Sequence, residues 1–456
     1  MPFRRFFDRG AKRETPEVDD ETSAEEVQND EEPISAEGDL VGEDEFAGEE
    51  GAPEDAVAIN WRERALEVLP TGASTGSKRV EALYGDAEAT GPSHYVNASG
   101  CRVVDSTGRS FIDCTMALGA VALGYGEPRV QQAAMEAIGS GNVAGLSDVR
   151  EVEIAERLRE HIPCAEMVQF LKSGAEGMSA AVRIARTYTN RDLIVGSGYF
   201  GWHDWCSDSA GIPAAVRDLY RPIPFGDVTA LENAAREAGD KLAAIVLEPV
   251  VERMPSENWV QTARGLATSL GAVLIFDEMK TGFRLRPGGY QALANVTPDL
   301  AVFGKALANG FPLAAVVGQR DVMEAARRTW ISSTLAGESG ALAAAGAVLD
   351  YHDGSDICAL LAATGQAMRQ AVVAAMEAAG IDGVSIEGID PMWFLRFADS
   401  RRETRFLEIA LRHGVLFKRG AYNYASLAHD DDTITEIESA ASAAFVELLE
   451  EEQEGT

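Results

Sequence analysis

The sequence predicts an α/β protein of two lobes, with a largely parallel sheet in the larger one. Short runs at 167–171, 193–195, 243–247, 272–276, 300–303 and 314–317 are apolar on both faces, Gln169 being their one polar residue, as strands covered on both faces are. Amphipathic helical stretches separate these runs, the arrangement that wraps a parallel sheet. With 456 residues, the chain also exceeds what one simple core holds, so a second, smaller lobe is expected.

The chain reads in order as follows. From about Glu14 to Asp55 it is mostly Glu, Asp, Ala, Gly and Ser with few aromatics, too little apolar surface to offset the entropy of folding, and should be disordered. Residues 1–60 hold 20 acidic and 5 basic residues. A docking or localisation role and a simple solubilising role both suit such a tail. Order is expected from Trp61, with a helix over 61–69 stopped by Pro70-Thr71-Gly72. The alternating stretch from Cys101 to Asp113, turning at Thr107-Gly108, reads as a hairpin. The expected division is a disordered acidic tail at 1–60, an N-terminal segment at 61–125 contributing to the small lobe, a large lobe at 126–340, and a C-terminal small α/β lobe at 341–456.

Composition narrows the function. A formal charge of −33 repels nucleic-acid phosphates, so no nucleic-acid partner is expected. No uninterrupted apolar run reaches the roughly 18 residues a spanning helix needs, so no membrane partner is expected. Cys101, Cys114, Cys164, Cys206 and Cys358 are odd in number and scattered, which reads as reduced thiols in the cytoplasm. The N-terminal Met-Pro-Phe-Arg-Arg-Phe-Phe has a signal peptide's basic flank without its apolar run, so export is not expected.

Three loops following apolar runs carry unusual polar residues, and in a parallel sheet such loops meet beyond the strands' carboxyl ends. Lys172-Ser173-Gly174-Ala175-Glu176-Gly177 opens a helix over 178–189. Small residues there let backbone N–H groups approach a phosphate, although many α/β turns look alike. In Phe276-Asp277-Glu278 an apolar strand ends in two carboxylates. Asp277 either caps the following turn or, buried, holds a ring nitrogen protonated and makes a pyridine an electron sink. In Phe303-Gly304-Lys305-Ala306 a lone lysine follows an apolar strand. It is either solvated or, partly desolvated, a nucleophile toward aldehydes.

Competing motifs fail. Asp299 stands where a P-loop needs glycine, and Gly337-Glu-Ser-Gly-Ala341 lacks the last glycine of a nucleophile elbow. The six histidines show no metal-ligand spacing, so no metal is expected.

Ser-Gly-Ala-Glu, Gly-Tyr-Phe-Gly, Glu-Pro-Val, Phe-Asp-Glu-Met-Lys-Thr-Gly-Phe-Arg and Gly-Lys-Ala occur in that order. This succession resembles the class III aminotransferases. Asp277-Glu-Met-Lys-Thr-Gly-Phe-Arg284, Ser333-Thr334-Leu335 and Ser426-Leu-Ala-His429 look closest to the glutamate-1-semialdehyde aminomutase-like group, over about 61–445. The resemblance implies a fold-type I transferase dependent on pyridoxal 5'-phosphate. It implies a largely parallel seven-stranded sheet in the large domain, a smaller α/β domain, and a homodimer with active sites at the subunit interface. Lys305 matches the Schiff-base lysine and Asp277 its pyridinium partner. Ser173, Gly174 and Ala175 match the phosphate turn, Tyr199 an aromatic stacked on the cofactor, and Glu248 a group near the ring. Thr334 matches a residue reaching the phosphate of the neighbouring subunit, and Ser77, Lys78 and Arg79 substrate-contacting residues. Each of these last has a plainer reading: Tyr199 as a core aromatic, Glu248 as a helix cap, Thr334 as a loop hydroxyl, and 77–79 as a solvated loop.

The implied activity is ping-pong transfer of an amino group between an amino donor and a keto or aldehyde acceptor. The alternative is an intramolecular aminomutase. A catalytically silent binding or scaffold protein is a third reading, and the intact Lys305 and Asp277 argue against it. Three departures blur the substrate: Tyr199-Phe200-Gly201, Ala308-Asn309-Gly310, and Ala421 where the aminomutases show glutamate. The last argues for a relative acting on another amino or keto compound.

Overall fold

Seven strands form the central sheet, and the order of their ends positions the chemistry. The computed structural model describes residues 60–86, 88–89, 91–420 and 422–454. The segment expected to be disordered, and Ala421, lie outside the described residues.

Three strands come first: β1 (Tyr95–Ser99), β2 (Arg102–Asp105) and β3 (Ser110–Asp113). The β2–β3 pair is the expected hairpin, with Asp105 accepting from the Thr107 and Arg109 N–H groups to close its turn. A helix at Trp61–Val68 precedes them, capped by Asn60.

The large sheet contains β4 (Met167–Leu171), β5 (Leu193–Ser197), β6 (Tyr220–Pro222), β7 (Leu242–Leu247), β8 (Val273–Asp277), β9 (Leu300–Phe303) and β10 (Ala314–Gly318). Their order is β4-β10-β9-β8-β7-β5-β6. All neighbours are parallel except β10, which runs antiparallel to both β4 and β9. Every residue of β7, β8, β9 and β10 is buried. Successive residues serve opposite faces: Ile245, Leu274, Phe276, Ala301 and Phe303 enter one core, Val246, Ile275, Leu300 and Val302 the other. That is why these runs are apolar without alternation. Helices Gly174–Thr189, Val228–Ala238 and Glu257–Leu270 supply the crossovers.

The C-terminal part adds β11 (Val384–Ile389), β12 (Met392–Phe397), β13 (Val415–Leu416) and β14 (Asn423–Tyr424). β13 pairs in parallel with β3, so the ends of the described chain share a sheet. Helix Ile357–Ala379 is long and apolar enough by composition to cross a membrane. Its Leu361, Met368 and Val372 are buried in the core, and Arg369 pairs with Asp390 at 2.6 Å.

Between β3 and the next helix, Met116, Ala117, Leu118 and Gly119 all have positive φ, 42°, 49°, 59° and 81°. Three side-chain-bearing residues in a left-handed turn are costly, and outside bonds fix them. The Tyr125 hydroxyl accepts the Ala117 N–H at 2.8 Å and donates to Asp113 at 2.6 Å.

Candidate active site

Three neighbouring parallel strands end at one edge of the sheet, and each delivers a charged group. β7 runs into Glu248, β8 closes on Asp277, and β9 leads through Gly304 to Lys305. Asp277 and Glu248 are buried and Lys305 half-buried. After Lys305 the chain must reverse to form the antiparallel β10, and Lys305 itself takes a left-handed backbone, φ 51°. Strain of this kind concentrates at functional sites.

Met279 ties the loops together. A Cβ added to Gly174 would come within 2.8 Å of its methyl carbon, and one added to Gly304 within 2.5 Å. Both glycines leave room for the flexible end of the methionine, which packs between the helix-opening turn and the Lys305 loop. In that turn Ser173 forms a capping box with Glu176. The Glu176 carboxylate accepts the Lys172 and Ser173 N–H groups at 3.0 and 2.9 Å. Among the described residues no acceptor meets the N–H groups of Gly174 and Ala175. Unfilled donors at the start of a 16-residue helix suit an anion.

A second lysine joins the cluster. Lys280 ion-pairs with Glu248, and its ammonium lies 4.5 Å from the centre of the Tyr422 ring. Glu248 also accepts the Tyr199 N–H at 3.0 Å. The Tyr422 hydroxyl donates to the Val251 carbonyl, holding the ring beside the end of β7.

Burial pushes the Asp277 carboxyl up to about 7, and Glu248 adds to this; the Met279 N–H, donated at 3.0 Å, and the two lysines oppose it. Burial pulls the Lys305 amine down to about 8, with Lys280 adding its repulsion. Burial also works against the Lys280 ammonium, yet the Glu248 carboxylate beside it keeps its proton held more tightly than usual. The site therefore offers a lysine poised to react as a free amine and a buried carboxylate in need of a cation.

Residues 84–199 and 225–436 match the family model for class-III aminotransferases. The chain belongs to the class-III aminotransferases. It is similar to 3-aminobutyryl-CoA aminotransferase of Cloacimonas acidaminovorans, 30% identical over 86% of this chain and 97% of that protein. It is equally similar to glutamate-1-semialdehyde 2,1-aminomutase of Pyrobaculum aerophilum, 30% identical over 85% and 99%. The FumI protein of Sphingopyxis sp. MTA144, solved in a PLP form, superposes with a TM-score of 0.82 at 26% identity, over 86% of this chain and 96% of its own. The chain thus has the fold of a fold-type I transferase, with the largely parallel seven-stranded sheet that the resemblance implies.

Not every expected site residue of this class-III aminotransferase joins the Lys305 cluster within one chain. Tyr199 enters it through its backbone, while its side chain stands 74% exposed, so it is no core aromatic. Thr334 lies exposed in a cleft with Asn142, Ser147 and Ser333 that contains none of the cluster. Ser77 and Lys78, on a single 3-10 turn, line a different cavity of about 160 Å³ with Tyr84, Asp113, Tyr125 and Lys418. Arg79, half-buried, is outside it. Sequence reasoning gave no role to Lys280, Tyr422, Tyr424 or Arg284. Lys280 sits three residues beyond Asp277 in the same loop, but nothing in that position alone distinguishes it from a solvated lysine.

Proposed function

We propose that the chain is an aminotransferase using pyridoxal 5'-phosphate, acting on small amino and keto or aldehyde compounds as a cytoplasmic homodimer. The observation that carries this is the juxtaposition of Lys305 and Asp277 at the ends of adjacent strands, the amine pulled down to about 8 and the carboxyl pushed up to about 7. The residues present fit the cofactor. Ser173, Gly174 and Ala175 would hold its phosphate, Asp277 its ring nitrogen, and Lys305 its aldehyde carbon. Tyr199 would cover the ring, Glu248 would stand near it, and Thr334 would reach the phosphate of a neighbouring subunit. Ser77, Lys78 and Arg79 would contact substrate.

When bound, the cofactor supplies an electron sink for charge developing on the substrate carbon. Asp277 keeps the ring nitrogen protonated, which also gives this buried carboxylate its cation. Lys305 would hold the cofactor's aldehyde carbon as nucleophile and, as a free amine, would take and return the proton at the substrate carbon as base. The burial of Asp277 and Glu248 keeps water from weakening these charges.

One observation favours a second reading. The aminomutase relative spans as much of the chain as the aminotransferase relative. An aminomutase uses the same groups without an external keto acceptor. We also propose the lobes expected from sequence, 126–340 and 341–456 with 61–125 joining the smaller. The pairing of β3 with β13 supports this.

The visible spectrum of the purified protein, with glutamate, alanine and simple diamines added in turn, tests the assignment. A yellow band that bleaches with a donor and returns with a keto acceptor is expected. Lys305→Ala should lose turnover, and near-normal transamination by that variant would overturn the reading.

A further inference from the structure

Two carboxylates and two ammonium groups share the buried edge: Glu248 from the end of β7, Asp277 and Lys280 from β8 and its loop, and Lys305 from the end of β9. Tyr422 and Tyr424 close over them from the C-terminal part, and Arg284 lies beyond Tyr424. Lys280 is fixed on two sides, by its ion pair with Glu248 and by the Tyr422 ring 4.5 Å away. That ring is in turn anchored to the carbonyl of Val251, in the loop that carries Glu248. The side chain is 17% exposed and its partner 4%. This geometry is built, and the Lys305 and Asp277 chemistry makes no direct use of it.

We infer that Lys280 is a positioning residue: it occupies Glu248, leaving Lys305 free to react as an amine and Asp277 as the one carboxylate open to a cationic ring. Without Lys280 the edge would hold two carboxylates and one ammonium. Lys305 would become the counter-ion of Glu248 and keep its proton, and an unbalanced Glu248 would make Asp277 harder to ionise. The direction of the present balance agrees, since Lys280 adds to the lowering of Lys305 and opposes the rise of Asp277. The inference rests on the cofactor reading above.

The test is the pH dependence of the rate at which cofactor-free full-length protein develops its visible band with added pyridoxal phosphate, which reports the free-amine fraction of Lys305. Lys280→Met should move the midpoint up by about one pH unit, a loss of roughly tenfold in rate below it. Lys280→Arg, which keeps the charge, should stay near the parent. The double variant Lys280→Met with Glu248→Gln removes both charges and should return toward the parent midpoint. An unmoved midpoint in Lys280→Met overturns the inference alone. So does a double variant displaced as far as the single one, because lost packing would then explain the shift. A parent protein that never develops the band overturns the cofactor reading and this inference with it.

Discussion

The Arg284 guanidinium lies 4.9 Å from the centre of the Tyr424 ring and, though fully buried, pairs with no carboxylate among the described residues. Its charge is spread instead over backbone carbonyls, those of Ala425 and Gly119 at 2.9 Å each and that of Pro391 at 3.4 Å. These belong to three segments far apart in sequence: the left-handed turn, the β11–β12 connection and the residue after β14. One side chain from the loop after β8 thus fastens the C-terminal part to the active edge. Arg284→Ala should cost about 3–5 kcal/mol, since it leaves several buried carbonyls unpaired and opens a void. Urea unfolding would measure it, and a loss below about 1 kcal/mol would contradict the fastening role.

The Tyr125 hydroxyl supports the strained turn from its other side. Tyr125→Phe leaves the Ala117 N–H and one Asp113 oxygen without this partner, on the wall of the cavity of about 160 Å³ where only water could replace it. The expected loss is about 0.5–1.5 kcal/mol by thermal unfolding, with no change in the absorbance of bound cofactor. A stability equal to the parent's would mean that the turn is held without this hydroxyl, by Arg284 and the backbone bonds from Gly119 to Thr115 and from Val121 to Met116.

The large sheet was legible because burial on both faces demands runs apolar throughout. β6 was not: three residues, Tyr220, Arg221 and Pro222, two of them exposed, carry no pattern. Asp277 and Lys305 were legible as site candidates because one ends an apolar strand and the other follows one through a single glycine, whereas Glu248 came only from the family resemblance. Lys280 was not, since a lysine in a loop reads as solvated. Tyr422, over 140 positions away, is what covers it, and no local signal announces that contact. Thr334 and Ser77 illustrate the opposite case, residues that resemblance assigns to the site and that one chain alone does not bring to Lys305.

Asp277→Asn tests the ring-nitrogen role without disturbing shape. The amide can still accept the Met279 N–H, so the loop keeps its bond, while the negative charge that holds a proton on the ring is gone. Cofactor should still bind, and transamination should fall on the order of 10²-fold or more. A rate within about threefold of the parent would remove Asp277 from the mechanism.

The stability of the cofactor-free protein should respond to pH through the same two groups, in opposite senses. Asp277 is raised from 3.8 to about 7 on folding. Between those values the folded chain keeps a proton the unfolded chain has lost, so its contribution to stability falls as pH rises. Lys305 is lowered from 10.5 to about 8. Between about 8 and 10.5 the unfolded chain holds the extra proton, so this contribution rises with pH. Together these two groups contribute a minimum between about pH 7 and 8, to be read as the difference between parent and variant, because the buried His352 and His429, both lowered to about 4, act in the opposite sense on the acid side. Urea unfolding across pH would locate it, with each limb worth on the order of a few kcal/mol. Asp277→Asn should flatten the acid limb and Lys305→Met the alkaline limb, each also displacing the remaining limb because the two groups interact. If either substitution left its limb intact, the proton would belong to another group, and the charge balance argued for this edge would be wrong.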